Sequence, residues 1–244
     1  MKQGIFEVKT NVSLTKDVYK MELIGDTSEI TKPGQFINIK LDGLYLRRPI
    51  SVCDCVESTV TIIYKVVGTG TEYMSSLCSG EKLDILTGLG NGFDTSVSGK
   101  NAVVIGGGVG VPPMYLLAKR LLSEGKNVTA ILGFNKQDEI FYKDEFEKLG
   151  ATVYISTADG SVGTKGFVTD VLRTLNDYTY VYACGPEPML KAVYDVCDTS
   201  GQFSFEKRMG CGFGACMGCS CKTKYGNKRI CREGPVLVKE EIIW

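Results

Sequence analysis

Near its C-terminus the chain carries Cys211, Cys216, Cys219 and Cys231 at the spacing C-x4-C-x2-C-x11-C. Plant-type [2Fe–2S] clusters are held by four thiolates that begin C-x4-C-x2-C. Such thiolates must converge on a pair of irons from one short loop. Gly210, Gly212, Gly214 and Gly218 let the backbone fold tightly there and aim N–H groups at the sulfurs. Two other chemistries use crowded cysteines. A zinc knuckle favours two C-x2-4-C pairs, and only Cys216/Cys219 forms such a pair with a conventional short gap. A disulfide-rich tail belongs in an oxidising compartment, against the setting inferred below. Cys221 lies just past Cys219, but the C-x2-C loop favours Cys219 as ligand and makes Cys221 a packed thiol. Cys53, Cys55, Cys78 and Cys197 are expected to be small buried hydrophobes.

The ten cysteines are accompanied by no histidine. That excludes a Ser-His-Asp triad, a Cys-His pair, a histidine-ligated zinc and a Rieske centre. Lys+Arg and Asp+Glu are both 28, for a formal net charge of zero, so there is no basic footprint for nucleic acid. No apolar run is long enough to span a bilayer, and Met1–Ile5 leads into a strand pattern without a signal-peptide core. The expectation is a cytoplasmic protein.

Two further segments could hold phosphates. In Arg47-Arg48-Pro49-Ile50-Ser51, Arg48 offers a planar fork to a pyrophosphate, Pro49 stiffens the turn, and Ser51 offers a hydroxyl. Gly70-Thr71 resembles a phosphate-cradling turn, with Glu72–Leu77 as the helix behind it. The run Gly106–Pro113, including Gly107, Gly108 and Gly110, follows a strand and opens a helix, the context of a dinucleotide loop. It departs from G-x-G-x-x-G, because Pro113 takes the third glycine's place. The second strand ends in Asn135-Lys136 without an acidic residue. Cys184-Gly185 sits where a later strand meets a helix, at the carboxyl edge of the sheet where ligands bind.

Three textures must position these groups. Residues 1 to about 95 read as short strands between turns (Val18–Leu23, Phe36–Leu41, Thr59–Val66, Lys82–Leu86), which suggests a small barrel. In Phe36–Leu41, Ile37, Ile39 and Leu41 alternate with Asn38 and Lys40, the pattern of a half-buried strand. From Gly99 strands and helices alternate: Asn101–Ile105, helix Met114–Glu124, Val128–Gly133, helix Tyr142–Leu149, Thr152–Ser156, helix Phe167–Leu175 and Tyr178–Cys184. That order implies an open parallel α/β sheet. After about residue 203 the chain is rich in Cys and Gly and nearly aperiodic. The expected domains are a barrel over 1–98, a nucleotide-binding α/β domain over 99–202 and a Cys-rich segment over 203–244.

This arrangement resembles the ferredoxin–NAD(P)+ reductase superfamily, in which an Arg-Pro-x-Ser/Thr motif on a flavin-binding barrel precedes a nucleotide-binding α/β domain. More narrowly, it is similar to the electron-transfer subunits of dihydroorotate dehydrogenase B. Pro33–Phe36, Arg48–Ser51, Tyr64–Thr71, Gly88–Phe93 and Cys231–Pro235 stand in that family's order. The resemblance implies FAD at Arg48, Pro49, Ile50 and Ser51, at Ile63, Tyr64 and Lys65, and at Gly70 and Thr71. It implies a [2Fe–2S] cluster on Cys211, Cys216, Cys219 and Cys231, and NAD(P) near the glycine run and Cys184-Gly185. It further implies an FMN-containing catalytic partner, a heterotetramer of two of each chain, NAD as substrate, and a role in pyrimidine biosynthesis with no orotate site here. Residues in general acid–base roles are not expected. The absence of an Arg after the second strand favours NADH, and Lys136 keeps NADPH open. The alternatives are a related FAD/[2Fe–2S] reductase subunit (of a ferredoxin-NADP transhydrogenase, a sulfide dehydrogenase or a hydrogenase), a bare flavin reductase with a vestigial cluster, and a zinc-bearing interaction module.

Overall fold

The computed structural model describes all 244 residues. Six antiparallel strands, β1 (Lys2–Ser13), β2 (Val18–Ile24), β3 (Phe36–Ile39), β4 (Arg48–Val56), β5 (Thr59–Lys65) and β6 (Lys82–Leu89), close a barrel in the order β1-β2-β5-β4-β3-β6. Period-2 alternation sends Phe6, Val8, Met21, Leu23, Ile37, Ile39, Val52, Ile62 and Ile85 into its core. The short helix α1 (Thr69–Ser75) lies against the barrel. Its C-terminal carbonyls are held by Asn11, whose Nδ2 donates to Met74 O at 2.9 Å and Leu77 O at 3.0 Å.

The second unit alternates strands with helices. They are β7 (Asn101–Gly107), α2 (Val111–Ser123), β8 (Asn127–Phe134), α3 (Lys143–Leu149), β9 (Thr152–Thr157), β10 (Thr164–Lys165), α4 (Val168–Leu172), β11 (Tyr180–Cys184), α5 (Glu187–Val196) and β12 (Gly201–Ser204). These strands run parallel in the order β10-β9-β8-β7-β11-β12. The sheet is buried on both faces, so its strands read as nearly continuous apolar runs. Ala102 and Val104 face α2 and α3, while Val103 and Ile105 face α4 and α5.

The tail contributes the hairpin β13 (Ser220–Thr223) and β14 (Gly226–Arg229), then β15 (Val236–Val238). The last strand returns to the sheet and pairs antiparallel with β12, Phe203 opposite Leu237. Cys219, Ile230, Cys231 and Leu237 join the same core as Val181, Leu190 and, from the barrel, Phe36 and Leu89. The apparent aperiodicity of this segment therefore hides a third layer, fastened to both other units.

Barrel and sheet also share a core directly. Val18, Cys53, Ile63 and Phe93 pack with Leu117, Leu121 and Tyr182. Lys119 on α2 donates to both carboxylate oxygens of Asp54 on β4 at 2.9 Å.

Several local expectations need correction. Helix α2 starts at Val111, three residues before Met114, because Pro112 and Pro113 fit the first turn, where a missing N–H costs nothing. Helix α1 begins at Thr69, so Gly70 and Thr71 lie inside it. Arg48–Ser51 belongs to β4 instead of preceding it. Strand β3 is buried at all four positions, Asn38 included, since the tail covers the face expected to meet solvent. Cys78 is exposed and Cys55 half-buried, while Cys53 and Cys197 are buried.

Phe93 joins the barrel to the sheet. It is 2% exposed and meets Tyr182 edge-on with ring centroids 5.7 Å apart. Phe93→Ala should lower unfolding stability by about 3–5 kcal/mol in urea titration. Tyr45→Ala, at a fully exposed side chain, should stay within about 0.5 kcal/mol.

Candidate functional site

The barrel strands part at one place. β4 and β5 pair from Val56↔Thr59 only as far as Val52↔Ile62. Beyond that, Arg48–Ser51 pairs only with β3, Pro49 opposite Asn38. Ile63, Tyr64 and Lys65 pair only with β2, opposite Lys20, Tyr19 and Val18. The two facing edges thus keep backbone polar groups with no ladder partner, which must be satisfied some other way. Pro49 is tolerated within the strand because its ring nitrogen lies on this unpaired edge. The structure therefore brings Arg48–Ser51 and Ile63–Lys65 to the two sides of one slot.

Gly70 and Thr71 complete this group. The Arg48 guanidinium lies across Gly70, where an added Cβ would be 2.1 Å from Arg48 Nε. Only glycine lets the cation reach the start of α1. Thr71 Oγ1 accepts the N–H of Val67 at 2.9 Å and donates to Gly68 O at 3.0 Å, fixing the turn before the helix. The fork of Arg48, a tight glycine turn and a slot edged by free backbone groups suit a flat heterocycle that carries a pyrophosphate.

The two segments assigned to the nicotinamide nucleotide also meet. β7 continues through Gly107, and Gly108–Gly110 forms one 3-10 turn before α2. Cys184 pairs in register with Gly106. A Cβ on Gly110 would fall 2.2 Å from the Cys184 carbonyl oxygen, so the glycine turn packs directly on the Cys184-Gly185 backbone. Burial pushes the Cys184 thiol up to about 12, against a hydrogen bond with Ser204. Cys184 is therefore a neutral thiol and no nucleophile. A crevice lined by Lys65, Gly108, Val109, Phe134 and Glu139 joins the barrel to this turn. A larger hollow lies at the opposite, amino ends of β7 and β8, beside Leu175–Tyr178, away from all these residues. The end of β8 is not without a carboxylate after all: a short turn returns Glu139, whose Oε2 accepts from Asn135 Nδ2 at 2.8 Å.

The cysteine loop lies against β3, with Gly212 packed on Asn38. Cys211 Sγ accepts N–H groups of Ala215 at 3.2 Å and Cys216 at 3.4 Å, and Cys216 Sγ accepts that of Cys211 at 3.5 Å. Cys219 Sγ accepts the N–H of Cys231 at 3.4 Å. The thiols of Cys211 and Cys216 are thus neighbours, as are those of Cys219 and Cys231. A two-iron cluster takes two thiolates on each iron, a division that these two pairs fit. Cys221 sits apart on β13, packed against the core formed with α5.

Side chains that the spacing of the cysteines did not reveal hold this loop. Arg229 Nη1 donates to Gly214 O at 2.5 Å, and its Nε to Glu233 Oε2 at 2.9 Å, which clips the first half of the loop to the second. Asn91, after β6, donates through Nδ2 to Glu233 O at 3.0 Å and Val236 O at 2.7 Å, and accepts Val236 N–H at 3.1 Å. Asn38 Nδ2 donates to the carbonyl of Cys211 at 3.3 Å. Except for Arg229 with Glu233, these contacts link residues far apart in the chain, so only an isolated asparagine in an apolar strand (Asn38) or inside a glycine run (Asn91) hinted at a role.

Burial raises the Cys211 thiol, but N–H groups of Phe213, Cys216 and Ala215 outweigh it and bring the thiol down to about 6. In metal-free protein, alkylation of Cys211 by iodoacetamide should therefore rise with pH through a midpoint near 6. Cys231, pushed up to about 12 by burial, should stay inert below pH ~9. Peptide mass mapping across a pH series reads both.

The comparisons agree with this layout. Residues 206–243 match the model of the iron–sulfur cluster binding domain of dihydroorotate dehydrogenase B, and residues 104–195 match the oxidoreductase NAD-binding domain. The chain is 46% identical to the dihydroorotate dehydrogenase B (NAD(+)) electron transfer subunit of Fusobacterium nucleatum, covering 96% of both chains. It is 42% identical to the Geobacillus sp. subunit of the same name, over 100% of this chain and 99% of that one. Among solved structures it superposes on an NADH-dependent reduced ferredoxin-NADP oxidoreductase with a TM-score of 0.90 and 29% identity, over 99% of this chain and 90% of that one. A ferredoxin NADP+ reductase from Neisseria gonorrhoeae shares the fold at a TM-score of 0.70 and 16% identity, over 80% of this chain and 90% of that one. The chain belongs to the family of dihydroorotate dehydrogenase B electron-transfer subunits.

Proposed function

We propose that this chain relays electrons between a catalytic dihydroorotate dehydrogenase subunit and NAD+, in pyrimidine (UMP) biosynthesis. Dihydroorotate and NAD+ become orotate, NADH and a proton, with the carbon chemistry on the partner. The observation that carries this reading is the pairing of Cys211 with Cys216 and of Cys219 with Cys231 in a loop tied to the barrel. FAD, when bound, exchanges an electron pair with the nicotinamide and single electrons with an iron–sulfur cluster. The chain's own residues bind, orient and exclude water.

Within this reading, residues 1–98 hold FAD, 99–202 hold the nucleotide and 203–244 hold the cluster. Arg48 receives the pyrophosphate together with Gly70 and Thr71. The unpaired backbone edges of Pro49, Ile50 and Ser51 and of Ile63, Tyr64 and Lys65 would hold the flavin ring. Gly107, Gly108 and Gly110 leave room for the dinucleotide, and Cys184 with Gly185 backs the nicotinamide. Glu139 offers a carboxylate to ribose hydroxyls, the role an acidic residue takes at the end of a second strand. Lys136 Nζ is engaged by Asp138 at 2.8 Å, which leaves it poorly placed to bind a 2′-phosphate and supports NADH. The partner carries FMN, and two copies of each chain assemble. No helix is long and apolar enough to cross a membrane, and we place the complex in the cytoplasm.

A second reading is a subunit of a bifurcating ferredoxin-NADP oxidoreductase, favoured by the superposition at a TM-score of 0.90. Co-purification separates the two: dihydroorotate:NAD+ activity in the partner complex supports the first, and its absence beside ferredoxin-linked NADP reduction supports the second. For the ligands, Cys216→Ser should abolish the paramagnetic resonance of the dithionite-reduced cluster, leaving FAD bound and NADH:dye reduction intact. A normal resonance in that variant would show that the ligands are assigned wrongly.

A further inference from the structure

We infer that Asn38 is a positioning residue that sets the iron–sulfur loop against the flavin strand. The inference rests on the ligand assignment above. Asn38 stands on β3 directly opposite Pro49, within the segment assigned to FAD. Its Nδ2 donates to the carbonyl of Cys211, the first residue of the ligand set. One residue thus pairs through its backbone with one cofactor segment and bonds through its side chain to the other.

The contact is close and costly. Gly212, at φ +77°, lies so near that an added Cβ would fall 2.3 Å from Asn38 Nδ2. Asn38 is 1% exposed, and its Oδ1 has no hydrogen-bond partner. Turning the amide over would leave the Cys211 carbonyl facing an oxygen, so the bond to Cys211 fixes the orientation. A buried amide with an unsatisfied acceptor costs more than an apolar side chain of similar shape. Stability alone would favour leucine. The asparagine is explained by what it holds. Arg47 steadies the same strand from outside, through Nη1 to Asn38 O at 3.3 Å and Asp84 O at 2.9 Å. Asn91 fastens the segment after Cys231 in the same way, so both ends of the ligand set are tied to the barrel.

Asn38→Leu keeps the volume without the donor, and Asn38→Asp replaces the donor with an acceptor. Both are purified anaerobically beside the wild type, with iron and FAD measured. Stopped-flow mixing with NADH follows flavin bleaching and cluster reduction separately, and electron paramagnetic resonance reads the reduced cluster. The inference expects FAD and flavin bleaching to be retained, altered g-values, and cluster reduction slowed at least about tenfold relative to bleaching. Loss of iron with FAD retained also supports it, because Cys211 is what has been released. Wild-type g-values and rates in both variants overturn it, as does joint loss of iron and FAD, which would make Asn38 an ordinary core residue. Absence of iron from the wild type would instead refute the ligand assignment, and is read first.

Discussion

The site depends on backbone polar groups that the barrel leaves unpaired. A closed barrel ordinarily satisfies every strand edge. Here β4 and β5 separate beyond Val52↔Ile62, so Arg48–Ser51 and Ile63–Lys65 face one another with free donors and acceptors. The closed remainder, with its buried Phe6, Met21, Ile39 and Ile62, keeps the gap open against collapse. Everything else is arranged around that opening: the Gly70 turn at one side, the glycine turn with Cys184-Gly185 across the crevice, and the cysteine loop behind β3.

The C-terminal segment illustrates how such a loop can be both irregular and rigid. It has little regular structure of its own, and two of its four cysteines lie exposed or half-exposed. Its order comes from tertiary contacts. β15 completes the parallel sheet, Ile230 and Leu237 sit in a core shared with α5, and Arg229, Asn91 and Asn38 bind its carbonyls. Tethering from three sides keeps the sulfurs in place without requiring the metal to organise the whole segment.

The sequence made some of this legible and hid the rest for physical reasons. Local signals were readable: the cysteine spacing, the shift from period-2 strands to alternating strands and helices at Gly99, and the glycine run between a strand and a helix. Boundaries slipped wherever a residue has two uses. Pro112 and Pro113 read as the end of the glycine loop but serve as a first helical turn, and Arg48-Pro49 reads as a turn but is a strand with one bare edge. Contacts between distant segments left no local trace. Asn38 looked like the polar half of an alternating strand, because the tail that buries it begins more than 160 residues later. Glu139 was passed over because a short turn, invisible to periodicity, folds it back on Asn135.

The central claim is that Cys211, Cys216, Cys219 and Cys231 hold a pair of irons on a barrel that also holds FAD. The most direct measurement is metal, acid-labile sulfide and flavin analysis of the anaerobically purified wild-type protein. The account predicts iron and sulfide in equal amounts, each about twice the FAD, as a [2Fe–2S] centre requires. Zinc in place of iron, with no labile sulfide, would contradict it.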